Sequence, residues 1–198
     1  MNTKISTTRR LVESALMIAL AVALDEFAVI KFPFGGSVTL FSQLPIILLS
    51  YRYGVKWGLF SGFTMSIFEF VFGLKNLSYV TGIKGVIILI LADYLIAFTC
   101  LGLGGVFKKP VKNQALSLAL GSVVVSVLRF ICHFVSGVTI WGGYAPEGTP
   151  VWKYSLLYNG GYMLPELIIT VIGALAVGML FDLNKPELGR ERKKSRAE

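Results

Sequence analysis

Long apolar stretches constrain this sequence more than any other feature. Blocks of 13 to 27 mainly apolar residues alternate with short breaks that contain Lys, Arg, Gly or Pro. A helix rises about 1.5 Å per residue, so about 20 apolar residues cross the ~30 Å hydrocarbon core of a bilayer. Hydrophobic residues make up 55% of the 198 residues and charged residues only 15%, a balance that is not typical of soluble domains. The pattern predicts an all-α, polytopic membrane protein.

The apolar blocks predict a bundle of six transmembrane helices within one domain, residues 1–184. The predicted spans are 11–30, 38–50, 55–74, 86–107, 115–140 and 155–181. The second is too short to cross the bilayer unaided, and its Pro45 lacks a backbone donor. We therefore expect this segment to be an inclined half-span, or to be completed by loop residues.

The distribution of Lys and Arg predicts the orientation of the spans. If both termini are cytoplasmic, 14 of the 19 Lys and Arg residues fall in cytoplasmic segments and four in outer loops, while Arg129 lies inside a span. This asymmetry follows the positive-inside rule. The net charge of +8 therefore indicates attraction to anionic lipid rather than to nucleic acid, and residues 185–198 are expected to form a basic cytoplasmic tail along the membrane.

Residues 1–24 also resemble a secretory signal. Arg9 and Arg10 precede an apolar stretch that contains Ala21-Val22-Ala23, which is similar to a cleavage site. Cleavage would leave five spans and place the two termini on opposite sides of the membrane. The Lys and Arg distribution favours retention of the segment.

Sequence motifs for catalysis and for ATP binding are absent. No GxxxxGK[ST], GxSxG or HExxH pattern occurs in the chain. Cys100 and Cys132 lie inside predicted spans without metal-ligand spacing, so we expect neither a disulfide framework nor a metal site. An enzyme is the weaker hypothesis, no cofactor is expected, and any energy that the protein uses would come from a partner or an ion gradient.

Polar residues inside the predicted spans indicate a binding pocket. Such groups are costly in a bilayer and normally face the interior of a bundle. Depth along the helices places Asp93, His133 and Asn159 in the outer half of the membrane, near Trp141 and Tyr154. A carboxylate, an imidazole, an amide and aromatic rings suit a small, flat, cationic organic ligand. The alternative for the aromatic residues alone is an interfacial belt.

Arg129 and Glu166 lie deeper, near the predicted midplane. Arg129 precedes His133 by four residues and therefore shares its helix face. We expect a buried Arg129–Glu166 ion pair that joins spans 5 and 6 or forms the floor of the pocket. Glu69 is either a second pocket carboxylate or a residue that faces water at the outer loop.

Small residues recur every four positions along the first span. Ala15, Ala19 and Ala23 leave one face of this helix nearly flat. In lipid, such stripes allow helix backbones to approach closely. The stripe predicts close packing either against another span of the same chain or against a different membrane protein.

The chain resembles the thiamine-specific substrate-binding (S) components of energy-coupling factor (ECF) transporters, across essentially its whole length. In the first four spans, the resemblance rests on the alanine stripe, on Tyr51-Arg52-Tyr53-Gly54 followed by Gly58-Leu59-Phe60-Ser61-Gly62, and on Asp93-Tyr94. In the last two spans it rests on the ordered set His133, Trp141, Tyr154 and Asn159, followed by Gly160-Gly161-Tyr162 and Pro165-Glu166.

The resemblance implies a six-helix protein of the bacterial plasma membrane that binds thiamine from outside with high affinity. The loop between spans 1 and 2 would cover the pocket. The S component would have no ATPase activity and would dock, through its alanine-bearing helix, onto a transmembrane coupling (T) subunit with two cytoplasmic ATPase subunits. Toppling of the S component in the membrane would then release the vitamin inward.

The resemblance also implies roles for individual residues. Trp141 and His133 would flank the ligand rings, and Asn159 and Tyr154 would supply polar contacts. Asp93 would meet the aminopyrimidine ring, with support from Tyr94.

Two positions depart from the family pattern. Asp93 stands where the family has Glu, which shortens the carboxylate side chain by one methylene. The first loop lacks a Trp that the family has there, so Phe32 or Phe34 would take over its stacking role. Gly35-Gly36 would allow this loop to hinge.

Two other functions fit some of the same residues. One is an S component for a related vitamin or for its pyrimidine precursor. The other is a proton-coupled secondary transporter in which Asp93, His133 and Glu166 form a relay, although the six unequal spans contain no evident inverted repeat.

Overall fold

A computed structural model describes residues 6–185, which fold almost entirely into helices. These residues form α1 (Thr7–Glu26), α2 (Leu44–Tyr53), α3 (Val55–Phe72), α4 (Gly82–Lys108), α5 (Gln114–Thr139) and α6 (Val151–Leu180). Short 3-10 turns at Pro33–Gly35, Leu74–Tyr79 and Gly142–Tyr144 lie in the connections. The fold is all-α apart from one small hairpin. The predicted basic tail, from residue 186 onward, lies outside the described residues.

The first helix is shorter than the predicted span 11–30. It ends at Glu26, and a hairpin follows in which β1 (Ile30–Lys31) pairs antiparallel with β2 (Ser37–Val38). The register places Ile30 opposite Val38, and Val29 N donates to Val38 O at 2.9 Å. The β-branched residues Val29 and Ile30 favour an extended strand, so their apolar character reflects this hairpin rather than a longer helix.

The second predicted span, 38–50, also differs from the structure. The helix here is Leu44–Tyr53, only ten residues, or about 15 Å long. The preceding backbone is not helical, but its polar side chains are buried: Thr39 Oγ1 donates to Glu166 Oε1 at 2.6 Å. Non-helical backbone at membrane depth is tolerated where protein surrounds it. Pro45 lies in the first turn of α2, where its lack of a backbone donor costs little.

Helix α4 changes its geometry along its length. It is α-helical over Gly82–Ile88, π-helical over Leu89–Ile96, briefly α-helical over Ala97–Thr99, and 3-10 over Cys100–Lys108. The π-helical segment contains Asp93 and Tyr94. Segments of this kind occur often at functional sites because they rotate the side chains that follow them.

Close backbone contacts position α4 at the centre of the protein. A Cβ atom added to Gly102 would lie 2.3 Å from the Gly58 carbonyl carbon of α3, and one added to Gly121 of α5 would lie 2.0 Å from Gly104 O. Small residues at these points allow helices to pack without intervening side chains. The long helices α5 and α6 also pack along each other.

The surface of the helices is suited to lipid. Among the described residues, α4, α5 and α6 are each long and apolar enough to cross a membrane. Large apolar side chains on other helices are also exposed, including Leu16 and Phe63. Such extensive apolar exposure is unusual for a monomeric soluble protein.

A charged cluster joins three segments at the end of the molecule opposite the hairpin. Arg52 Nε of α2 lies 2.9 Å from Glu13 Oε2 of α1, and Tyr53 also donates to this carboxylate. Arg52 Nη1 donates to Leu183 O at 3.1 Å, just after α6. The cluster therefore connects α1 and α2 to the segment that follows the last helix.

Candidate ligand-binding site

A cavity of about 330 Å³ lies beneath the hairpin, among α1, α3, α4, α5 and α6. This volume is within the range of about 300–1,000 Å³ that is typical of small-molecule sites. All eight residues predicted to bind substrate line it: Phe34, Glu69, Asp93, Tyr94, His133, Trp141, Tyr154 and Asn159. The structure thus brings them together, and their contact with a ligand remains a prediction.

Asp93 is the centre of a hydrogen-bond network in one wall of the cavity. Its Oδ2 accepts from Ser136 Oγ at 2.6 Å and from Trp141 Nε1 at 3.0 Å, while Oδ1 lies 3.1 Å from His133 Nδ1. If His133 Nδ1 carries the proton, Nε2 becomes an acceptor. This Nε2 is buried and has no partner among the described residues. Through its contacts with His133 Nδ1 and Trp141 Nε1, Asp93 fixes the orientation of both aromatic rings.

Tyr94 connects the π-helical segment to the turn after α3. Its hydroxyl donates to Gly73 O at 3.2 Å and accepts from Asn76 Nδ2 at 2.8 Å. A Cβ atom added to Gly73 would lie 2.1 Å from this hydroxyl. The geometry fits a supporting role in which Tyr94 positions the wall.

Asn159 is held by its neighbours on α5 and α6. Its Nδ2 donates to Ser155 O at 2.9 Å, and its Oδ1 accepts from Tyr162 Oη at 2.8 Å. The side chain is buried, so its amide has a fixed orientation beside the cavity.

Three tyrosine side chains of α6 form an aromatic wall of the cavity, and only Tyr154 among them was a predicted site residue. Tyr158 and Tyr162 line the cavity together with Tyr154. The ring centroids of neighbouring members are 5.8 Å apart in both pairs. Tyrosines spaced four residues apart share one face of a helix. The four-residue spacing of Tyr154, Tyr158 and Tyr162 is the sequence signal that could have identified Tyr158 and Tyr162 as cavity residues.

The loop between β1 and β2 covers part of the cavity. The Phe34 ring centroid lies 4.4 Å from that of Tyr144 and 6.1 Å from that of Trp141. Phe34 has a φ of 62° and Gly35 a φ of 103°; the first is uncommon for a residue with a large side chain and is found mainly at turns and binding sites. The Tyr158 hydroxyl donates to Pro33 O, which attaches the loop to α6.

Two carboxylates form a second polar wall. Glu69 is only 5% exposed and lines the cavity. It is therefore a cavity carboxylate rather than a residue that faces water at the outer loop. Asp25, which was not among the predicted site residues, lies beside it. Asp25 and Glu26 are adjacent in the last turns of the predicted span 11–30, where charged residues usually face water and carry no signal of burial.

Arg129 and Glu166 form an ion pair between α5 and α6. Arg129 Nη1 lies 2.8 Å from Glu166 Oε2, and their side chains are 6% and 1% exposed. Glu166 Oε1 also accepts from Thr39 and Ser42. Arg129 lines the cavity, so the pair both connects the helices and contributes to the cavity wall.

The alanine stripe lies on the outer surface of α1. Ala15, Ala19 and Ala23 are all exposed. Close packing against another described helix, one of the two expectations for the stripe, is therefore not present in the structure.

Helices that can cross a membrane, a lipid-compatible surface and a partly covered polar and aromatic cavity are the features of a membrane protein with a pocket of small-molecule size. Comparison with known proteins identifies the family. The sequence model of the family described as thiamine transporter protein (Thia_YuaJ) matches residues 11–183. The chain therefore belongs to the thiamine transporter family, whose members are transporters and not enzymes.

Individual relatives agree with this assignment. The chain is 39% identical over 174 residues to the thiamine transporter ThiT of Bacillus subtilis (strain 168), which covers 82% of this chain and 86% of the relative. It is 32% identical over 150 residues to the ThiT of Lacticaseibacillus paracasei, with 71% of each chain covered.

A solved structure has the same fold. The structure of ThiT from Listeria monocytogenes superposes with a TM-score of 0.68 and 24% sequence identity, covering 85% of this chain and 92% of that chain. This similarity extends through most of the helical fold.

Proposed function

We propose that this protein is the high-affinity thiamine-binding S component of an ECF-type uptake transporter in the bacterial plasma membrane. The observation that carries the proposal is the cavity in which Asp93, His133 and Trp141 form one hydrogen-bonded wall, with a row of tyrosines lining the same cavity. The names of the relatives, thiamine transporters, agree with this ligand.

Thiamine has two parts that fit two kinds of surface in the cavity. Its flat aminopyrimidine ring offers donors and acceptors, for which Asp93 Oδ1 and His133 Nε2 are suitable partners. Its thiazolium ring carries a positive charge, which aromatic faces attract by about 0.5–2 kcal/mol each. Trp141 and the tyrosine row supply such faces.

The proposed topology has six spans and both termini in the cytoplasm. The distribution of Lys and Arg supports it, and the cavity beneath the hairpin would then open to the outside. Thiamine would enter there, and the loop that carries Phe34 would cover it.

Energy would come from partner subunits. The chain has no phosphate-binding loop, so ATP hydrolysis would require two cytoplasmic ATPase subunits attached to a transmembrane T subunit. The exposed stripe Ala15, Ala19 and Ala23 is a flat surface on which a helix of the T subunit can pack closely.

Ligand identity is tested by mass spectrometry of the small molecules that co-purify with the detergent-solubilised protein, followed by calorimetric titration. We expect thiamine to co-purify and to bind saturably, and to bind more tightly than its pyrimidine precursor or related vitamins. A tighter complex with one of those compounds would assign the protein to that ligand. The absence of saturable thiamine binding would refute the proposal.

The source of energy is tested in sealed vesicles. Ala19→Trp places a large ring on the stripe, whereas Leu164→Trp places one on an exposed position of α6. With the coupling module present, we expect Ala19→Trp alone to abolish uptake while leaving thiamine binding unchanged. Thiamine uptake by this chain without partners would instead support a proton-coupled secondary transporter.

A further inference from the structure

The charges inside the cavity do not balance. Lys31 and Lys75 line its mouth but are exposed, where water screens their charge. The fixed cation deeper inside, among the described residues, is Arg129, whose Nη1 pairs with Glu166. Four further carboxylates line the same cavity: Glu26 is exposed like the two lysines, whereas Asp25, Glu69 and Asp93 lie further inside.

The three inner carboxylates differ in how well they are satisfied. Asp93 accepts hydrogen bonds from Ser136 and Trp141 and lies against His133. In contrast, Asp25 Oδ1 and Glu69 Oε1 are buried and have no donor among the described residues. Only 5% of the surface of Glu69 is exposed to solvent.

Asp25 and Glu69 also lie close to each other. Their carboxyl groups, on α1 and α3, are within hydrogen-bonding reach of each other. Such a bond requires one shared proton, so the pair carries a single negative charge, and Arg129 is already paired with Glu166. A ligand cation in the cavity would offset the charge of the pair and would use both free oxygens.

We propose that Asp25 and Glu69 form a cation subsite that receives the positively charged ring of the ligand and selects it over an uncharged analogue. This inference rests on the proposed function, because it assumes that thiamine enters the cavity. It assigns the electrostatic recognition of the cation to Asp25 and Glu69. Asp93 orients His133 and Trp141 and is left to meet the uncharged aminopyrimidine ring.

The experiment compares two ligands by calorimetry: thiamine, and a neutral analogue in which carbon replaces the positively charged ring nitrogen. The wild-type protein should bind thiamine at least about tenfold more tightly than the analogue, a difference of ~1.4 kcal/mol. In the variant Asp25→Asn/Glu69→Gln, affinity for thiamine should fall by at least about tenfold, while affinity for the analogue should change less than about twofold. Selectivity for the charge would thus be lost.

Two controls separate local from general effects. Glu147→Gln removes an exposed carboxylate outside the cavity and should leave the ratio of the two affinities unchanged. The single variant Glu69→Gln provides the same comparison with a smaller perturbation if the double variant does not fold. Its ratio should lie between those of the wild type and the double variant.

The outcomes are distinct. Equal loss of affinity for both ligands in a folded variant would mean that the pair only shapes the cavity, and would overturn the inference. So would a variant that retains the wild-type preference for thiamine. In both cases the wild type still binds thiamine, so the proposed function survives; a wild type that binds no thiamine would refute the function and the inference together.

Discussion

Neutralising Glu166 tests how strongly the buried ion pair stabilises the contact between α5 and α6. The substitution Glu166→Gln preserves the shape of the side chain and an oxygen that can accept from Thr39 and Ser42. It therefore removes mainly the negative charge opposite Arg129. The guanidinium would remain in a site where its side chain is only 6% exposed.

The magnitude follows from the geometry. At the observed separation of 2.8 Å, the Coulomb attraction is about 6 kcal/mol for an effective dielectric constant of about 20. Much of this offsets the cost of burying the charges, and removal of one partner from such a pair typically costs about 3–5 kcal/mol. For a chain of this size, 1 kcal/mol corresponds to about 2–4 °C, so we expect the melting temperature to fall by about 6–20 °C.

The assay is thermal unfolding of the detergent-purified protein without ligand, followed by the loss of helical circular dichroism. The double variant Arg129→Met/Glu166→Gln removes both charges of the pair and should recover most of the lost stability, because no unpaired guanidinium remains buried between α5 and α6. A Glu166→Gln variant as stable as the wild type would refute the reasoning. A double variant no more stable than Glu166→Gln would also do so.

Two further substitutions test the wall of the cavity and the helix packing. Asp93→Asn removes the charged acceptor of Ser136 and Trp141, which also lies against His133, and should weaken thiamine binding by about tenfold to a hundredfold in calorimetry, whereas Asp182→Asn, outside the cavity, should have no effect. Unchanged affinity would contradict the role of Asp93. Gly102→Ala places a methyl group 2.3 Å from Gly58 and should lower the melting temperature by several degrees, at an expected cost of about 1–3 kcal/mol. Gly160→Ala meets no atom within 4 Å and should be neutral or slightly stabilising; equal effects of the two glycine substitutions would argue against the packing.

The apolar blocks were sufficient to predict an all-α protein with membrane-spanning helices. Patterns of this kind report how much apolar surface a segment offers, but not its backbone geometry. The apolar residues Val29 and Ile30 belong to the start of the hairpin, with Ile30 in β1, and the predicted first span therefore extended beyond the helix, which ends at Glu26. The π-helical segment around Asp93 likewise has no sequence signature.

The candidate site was predictable where polar residues lie deep within apolar segments. His133 and Asn159 are of this kind, and both line the cavity. Asp25 was missed although it lies inside the predicted span 11–30, because its burial depends on the hairpin that follows the helix at Glu26. Tyr158 was not among the predicted site residues, since an aromatic residue near a membrane surface is consistent with either a cavity wall or an interfacial belt.

Emission from a single tryptophan measures thiamine binding in the cavity most directly. Trp57 packs against Arg10 at the other end of the bundle, and Trp152 is 56% exposed; the variant Trp57→Phe/Trp152→Phe retains only Trp141, which lines the cavity. We expect thiamine to quench this emission saturably, with one ligand per protein, and additional Trp141→Phe to abolish the signal. Emission and melting temperature that do not change at any thiamine concentration would contradict the assignment of this cavity as the thiamine site.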